Sequence, residues 1–209
     1  MNNPTPYQFV AIEGNIGAGK TTLTNRISTE WGCQTILEQF TDNPFLPLFY
    51  KQPERYAFPV ELFFMTERHK QLQEILTQQS LFQPLVLADY FFIKTLLFAR
   101  NNLLEEEYRL FQRLFDVLNA SFPKPGLLVY IHRPINALLK NISKRGRSYE
   151  TDISREYLQS LQEAYLEYFR TDTSFPIVVV EAADIDFFTD DDAYQSLLNV
   201  LKNKYHEKT

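Results

Sequence analysis

Residues Gly14-Asn15-Ile16-Gly17-Ala18-Gly19-Lys20-Thr21 satisfy the pattern G-x-x-x-x-G-K-[ST] at every fixed position. This pattern demands a buried strand, a tight glycine turn and a helix in immediate succession, and the flanking residues supply them. The apolar run FVAIE, Phe9 to Glu13, leads in, and a helix-forming segment leads out from Gly19. The glycines allow successive backbone N–H groups to converge on phosphate oxygens. Lys20 is placed to neutralise β- and γ-phosphates, and the Thr21 hydroxyl is a Mg²⁺ ligand of the right hardness. Gly14 through Thr21, with Thr22 on the first turn beyond, are therefore the candidate phosphate cradle for ATP with Mg²⁺.

The rest of the chain fits an α/β fold, with a five-stranded parallel sheet flanked by helices. Short apolar runs at residues 7–12, 35–37, 85–88, 127–131 and 177–180 read as strands. Longer helical patterns separate them: 19–31, 57–79, 91–100, 105–120, 135–143, 154–170 and 191–204. Pro44, Pro47 and Pro53 make the second connection irregular, and Pro123, Pro125 and Gly126 stop the chain sharply before the fourth strand. The 209 residues contain no repeat or linker, so 1–209 reads as one domain. A net charge of −5 argues against a polymeric nucleic-acid partner and leaves room for a local basic pocket. With 18 Phe and 12 Tyr, aromatics are numerous enough to line a site as well as a core. The lone Cys33, the absence of a leader in MNNPTPYQF, and the interruption of ADYFFIKTLLFA by Asp89 and Lys94 imply a cytoplasmic protein without a membrane span.

Several polar residues are candidates for chemistry. Glu38 ends the second strand, and doubly wound sheets bind ligands beyond the carboxyl ends of their strands. A carboxylate there can take the proton from a hydroxyl acceptor, so Glu38 is the candidate base; a solvated strand-end glutamate is the alternative. On the helix from Ala57, Glu61 and Arg68 stand two turns apart, roughly 10 Å along the axis. That is too far for a direct ion pair, but it puts both tips on one side, where they could bracket a flat base. The alternative is a solvated helix face. His69 falls in the apolar stripe of the same helix and reads as a packing residue. Lys144-Arg145-Gly146-Arg147 follow an amphipathic segment. Arg145 and Arg147 are placed to close over a γ-phosphate, unless the cluster merely satisfies a helix C-terminus. Asp89, after the third strand, can hold Mg²⁺ or meet the 5′ end of a substrate.

EGNIGAGKTTL, LEQFTDNPFLPLFY, PERYAFPVELFFMTERHKQL and KRGRSYE together resemble the deoxynucleoside kinase family over most of the chain. The resemblance implies a helical lid over the donor phosphates, phosphoryl transfer from ATP to the 5′-hydroxyl of a deoxynucleoside, and a homodimer. It matches Glu38 to the family's catalytic glutamate, and Tyr50 and Glu150 to groups that contact the sugar 3′-hydroxyl. Glu61 and Arg68 match its base-reading glutamine and arginine, and the Asp184–Phe187 segment, Asp186 and Phe187 above all, matches a loop beside adenine.

The chain departs from the family pattern on the acceptor side. Glu61 replaces the glutamine, exchanging a donor-and-acceptor amide for an acceptor, which leans toward a purine. Tyr90 follows Asp89 where the family has arginine, and Thr95 stands where animal members have aspartate. Asn141 replaces a further lid arginine, leaving Lys140 or Lys144 to stand in as point charges. Two other readings stay open: a nucleoside monophosphate kinase, although Glu38 and Asp89 would repel an anionic acceptor, and a nucleotide-binding module without transfer activity.

Overall fold

The computed structural model describes residues 4–38, 43–76, 85–171, 174–183, 185–187 and 189–203. Five strands, β1 (Phe9–Gly14), β2 (Gln34–Ile36), β3 (Val86–Ala88), β4 (Leu127–His132) and β5 (Ile177–Glu181), form one parallel sheet in the order β2-β3-β1-β4-β5. The helices are α1 (Lys20–Trp31), α2 (Leu46–Phe49), α3 (Pro53–Leu76), α4 (Ile93–Asn102), α5 (Glu105–Asn119), α6 (Ile135–Arg145), α7 (Arg155–Thr171) and α8 (Asp191–Lys202).

The interior strands are mainly apolar because both of their faces are covered. Along β1, Val10 and Ile12 meet Leu23 and Ile27 of α1, Leu138 of α6 and Leu198 of α8. Phe9 and Ala11 turn the other way, toward Met65 of α3, Phe92 before α4, Phe111 of α5 and Tyr165 of α7. Each such fully buried side chain contributes about 1.5–3 kcal/mol of hydrophobic stabilisation. A strand that is apolar on both sides can be stable only in the middle of such a sandwich.

Helix α3 begins a turn earlier than the sequence pattern suggests. Pro53 occupies its first turn, where no N–H is needed, and Pro59 is carried inside the helix at the loss of one hydrogen bond. Within the irregular second connection, Leu46–Phe49 forms a short helix whose Leu46 and Phe49 pack against Ala57 and Val60. The expected extension of α3 to Gln79 and of α8 to Lys204 lies outside the described residues, as does Asp184.

The strand order locates the site. From β1 the chain passes outward to β2, and from β3 it crosses back over β1 to β4. The carboxyl ends of β1 and β3 therefore border a crevice from which the connections diverge, the place where open α/β sheets bind ligands. The phosphate turn follows β1, Glu38 follows β2, and Asp89 follows β3.

Candidate active site

The turn after β1 is held from three sides. Asn15 donates through Nδ2 to the Leu158 carbonyl (2.7 Å), and its Oδ1 accepts the Ile16 N–H (2.8 Å). Gly17 adopts φ +81°, and a Cβ there would lie 2.8 Å from the Leu138 carbonyl oxygen of α6, so glycine is required on steric as well as conformational grounds. Asn141 of α6 donates to the Gly17 carbonyl (2.8 Å). The buried Arg133 donates to the carbonyls of Ala18 (3.0 Å), Ala182 (2.7 Å) and Ile185 (2.7 Å), tying the turn to the loop after β5. Lys20 reaches back to the Asn15 carbonyl (3.0 Å); burial, reinforced by the nearby charge of Lys94, lowers its pKa to about 8.

Beneath the turn lies a carboxylate that sequence reading passes over. Glu13, the last side chain of the FVAIE run, is fully buried and accepts from the Phe91 N–H (2.7 Å) and the Tyr165 hydroxyl (3.0 Å); burial raises its pKa. Thr21 donates its hydroxyl to Asp89, whose other oxygen accepts the Glu38 N–H (2.7 Å). Burial, with Glu38 nearby, raises the Asp89 pKa. Among the described residues no group of three or more His, Cys, Asp or Glu could hold a metal by itself. The hard hydroxyl-carboxylate pair suits Mg²⁺ that arrives with, and is completed by, phosphate oxygens and water.

A cleft enclosing about 750 Å³, including its solvent-open part, runs from Gly17, Lys20 and Thr21 to Glu61 and Phe64. Glu38, Tyr50, Arg68, Arg145, Arg147 and Glu150 also line it. Glu38 is the hub of a charged network in the cleft. Its Oε1 accepts from Arg68 Nε (2.9 Å) and NH2 (2.6 Å), and its Oε2 accepts from Lys94 Nζ (2.5 Å). Burial alone would raise its pKa, but the charges of Lys94 and Arg68 outweigh that and hold Glu38 well below the ordinary carboxylate range. Arg68 also donates to Thr95 (3.0 Å) and lies over the Phe64 ring.

Glu61 and Arg68 are both buried, so the solvated-face alternative is excluded for this pair. Asn102, at the end of α4, donates to Glu61 Oε1 (2.6 Å), while Oε2 has no partner among the described residues; burial raises the Glu61 pKa to about 7. Tyr50, whose pKa burial and the charge of Glu150 raise, stands near Glu150 at the mouth of the cleft. Arg145 grips both oxygens of Glu150 through Nε (3.0 Å) and NH2 (2.6 Å) and Arg147 adds a further contact (3.2 Å), so both lid cations face the cleft from one carboxylate anchor.

Other sequence candidates fall outside the cleft. Thr22 is exposed one position past the turn. Phe187 is buried in the core beneath Arg133, and Asp186 is exposed beside it. Lys140 and Lys144 are exposed and do not line the cleft, so neither supplies the charge that Asn141 lacks. Tyr90 is fully buried and donates to Gln71 (2.8 Å), facing the core, and His69 packs against Phe92 and Phe122. Lys94, which lines the cleft, and Asn102, which holds Glu61 from behind it, are the groups that sequence reading misses, because IKTLLFARNN reads as an ordinary packed helix.

A phosphate turn, a basic lid hinged behind it and a carboxylate facing both across a topological switch point define a P-loop phosphotransferase. The family model for deoxynucleoside kinases matches residues 10–206. A deoxyguanosine kinase of Bacillus subtilis is 34% identical over 183 residues, covering 86% of this chain and 88% of its own length. A deoxyadenosine kinase of Lactobacillus acidophilus is 30% identical, covering 96% and 97%. The structure of a deoxyadenosine kinase from M. mycoides with bound dATP superposes with a TM-score of 0.79 at 25% identity, covering 92% of this chain and 99% of that one. The chain belongs to the deoxynucleoside kinase family. It is an enzyme that phosphorylates a deoxynucleoside from ATP, which decides against the monophosphate-kinase and binding-module readings.

Proposed function

We propose that Glu38 is the base and that the preferred acceptor is a purine deoxynucleoside. Its base would lie between Glu61 and Arg68, and its sugar against Tyr50 and Glu150. The observation that carries this reading is the position of Glu38. It sits beyond the switch point, between the base-facing Arg68 and the phosphate turn, with one lone pair of Oε2 still open to an acceptor hydroxyl. The unpartnered Oε2 of Glu61 offers an acceptor to the amino or imino N–H groups of guanine, or to the amino group of adenine. The two relatives at 30% identity or more described above are named for deoxyguanosine and deoxyadenosine, which supports the lean, while a second Bacillus subtilis relative at 26% identity is named for deoxycytidine as well as deoxyadenosine.

On the donor side, the glycine turn from Gly14 to Gly19 would bind the phosphates, and Lys20 would sit on the γ-phosphate. Arg145 and Arg147 would swing from Glu150 toward the charge that develops during transfer. Thr21 and Asp89 would hold Mg²⁺, which when bound neutralises charge on the β- and γ-phosphates. The chain would act as one domain and as a cytoplasmic homodimer.

Replacing Glu38 by Gln tests the central role. The amide oxygen can still accept from Arg68, so ATP affinity should hold within about threefold, while kcat falls roughly 10²- to 10⁴-fold for loss of a general base. A Glu38→Gln enzyme that keeps wild-type kcat would sink the assignment, and a thermal melt on the same sample separates lost catalysis from lost fold.

A further inference from the structure

Lys94 is a buried ammonium group inside the cleft, with only 5% of its side chain exposed, and no role assigned so far requires it. The two cations on Glu38 are held differently. Arg68 is fixed through Nε and NH2 to Oε1, through NH1 to Thr95, and by the aromatic faces of Phe64 and Phe98. Lys94 makes a single-point contact with Oε2 and has Phe98 beside it at 5.4 Å. The two donors from Arg68 fill both lone pairs of Oε1, so a hydroxyl that bonds Glu38 must use the remaining lone pair of Oε2, the oxygen Lys94 already holds. Two groups bonded to one carboxylate oxygen lie within about 5 Å of each other. Lys94 therefore stands next to the place where the acceptor oxygen receives its phosphoryl group, in the same cleft as Lys20. Tyr90 offers no charge here, since its hydroxyl is committed to Gln71 in the core.

We propose that Lys94 is a catalytic residue that exchanges Glu38 for the arriving phosphoryl group, holding a non-bridging oxygen of the 5′-phosphate as transfer proceeds. The proposal rests on the reading of Glu38 as the base. In the step, the bond between the acceptor 5′-oxygen and phosphorus forms as the bond from phosphorus to the β,γ-bridging oxygen breaks. The hydroxyl proton passes to Glu38, and ADP leaves with the electron pair. Charge on Glu38 falls while charge beside the acceptor rises, so the flexible, singly bonded cation moves and the rigid Arg68 stays. Lysine suits this exchange because its ammonium is a compact point charge on a mobile stem.

The test uses the full-length protein, its Lys94→Met and Lys94→Arg variants, and the deoxynucleoside it phosphorylates best, together with the corresponding 5′-monophosphate. For Lys94→Met, kcat should fall about 100-fold, the scale for loss of one donor to developing charge. Monophosphate affinity should weaken about tenfold, whereas deoxynucleoside affinity and the KM for ATP change less than about threefold, and Lys94→Arg should recover part of both losses. Equal weakening of nucleoside and monophosphate, or an unchanged kcat, would overturn the proposal and leave Lys94 as a brace for Glu38. If Lys94→Met does not fold, a structure of the unaltered protein with the monophosphate bound decides instead. Nζ within hydrogen-bond distance of a phosphate oxygen supports the exchange, and Nζ still on Glu38 overturns it. A wild-type protein that phosphorylates no deoxynucleoside contradicts the reading beneath the proposal, whereas an active wild type with an unimpaired Lys94→Met contradicts the proposal alone.

Discussion

Glu61 combines a stability cost with the recognition role proposed for it. It is buried, one oxygen is held by Asn102, the other has no partner among the described residues, and its pKa rises to about 7 because burial disfavours the charged form. The folded state therefore binds a proton more tightly than the unfolded chain, so this group's contribution to stability is fully present below the ordinary glutamate pKa and is lost as pH rises through about 7. Glu61→Gln keeps an acceptor for Asn102 and removes the buried charge. Urea melts should show the variant more stable than wild type at pH 8, by on the order of 2 kcal/mol, with the difference shrinking toward pH 5. A difference that grows toward acid pH would contradict the burial argument. The helical spacing places Glu61 and Arg68 on one side, but nothing in the sequence tells a solvated side from a buried one. Lys94 reaches the same cleft, and Asn102 reaches Glu61, from another helix, and their sequence neighbours suggest only packing.

At the scale of elements, the phosphate turn is legible because its local constraints are severe: φ +81° at Gly17 and a carbonyl 2.8 Å from where a Cβ would go leave almost no other residue possible. Its supports are not legible, since they come from α6 and from the end of β4. Asn141 holds Gly17 from the lid helix, and Arg133 spends three donors on backbone carbonyls at 9% exposure. Substitution of Arg133 by Ala strands three carbonyls and opens a void beneath the turn. It should cost about 2–4 kcal/mol in stability, from the worth of charge-assisted bonds and of burial. Since Arg133 touches only the donor side, the KM for ATP should rise several-fold while the KM for the deoxynucleoside stays nearly constant. A loss confined to the nucleoside KM would place Arg133 in a different network.

Across the whole molecule, strand order gathers residues from distant parts of the sequence. The donor half comes from β1, α1 and α6, and the acceptor half from the ends of β2 and β3 with α3 and α4. The two halves meet at the carboxyl ends of β1 and β3. Five strands can be read from the sequence because each is a short, mainly apolar run bounded by turn residues, and the three interior ones are buried on both faces. Their order cannot, because it depends on which helix faces pack where. The same division runs through the site: the phosphate turn is contiguous in sequence, whereas the lid cations and the groups at the ends of β2 and β3 are brought to it by the fold. The most direct measurement supplies ATP labelled in its γ-phosphate and each of the four deoxynucleosides in turn, and follows where the label goes. The account predicts labelled 5′-monophosphate, formed faster from deoxyguanosine or deoxyadenosine than from deoxycytidine or thymidine; label that reaches none of the four, or appears only as inorganic phosphate, would contradict it.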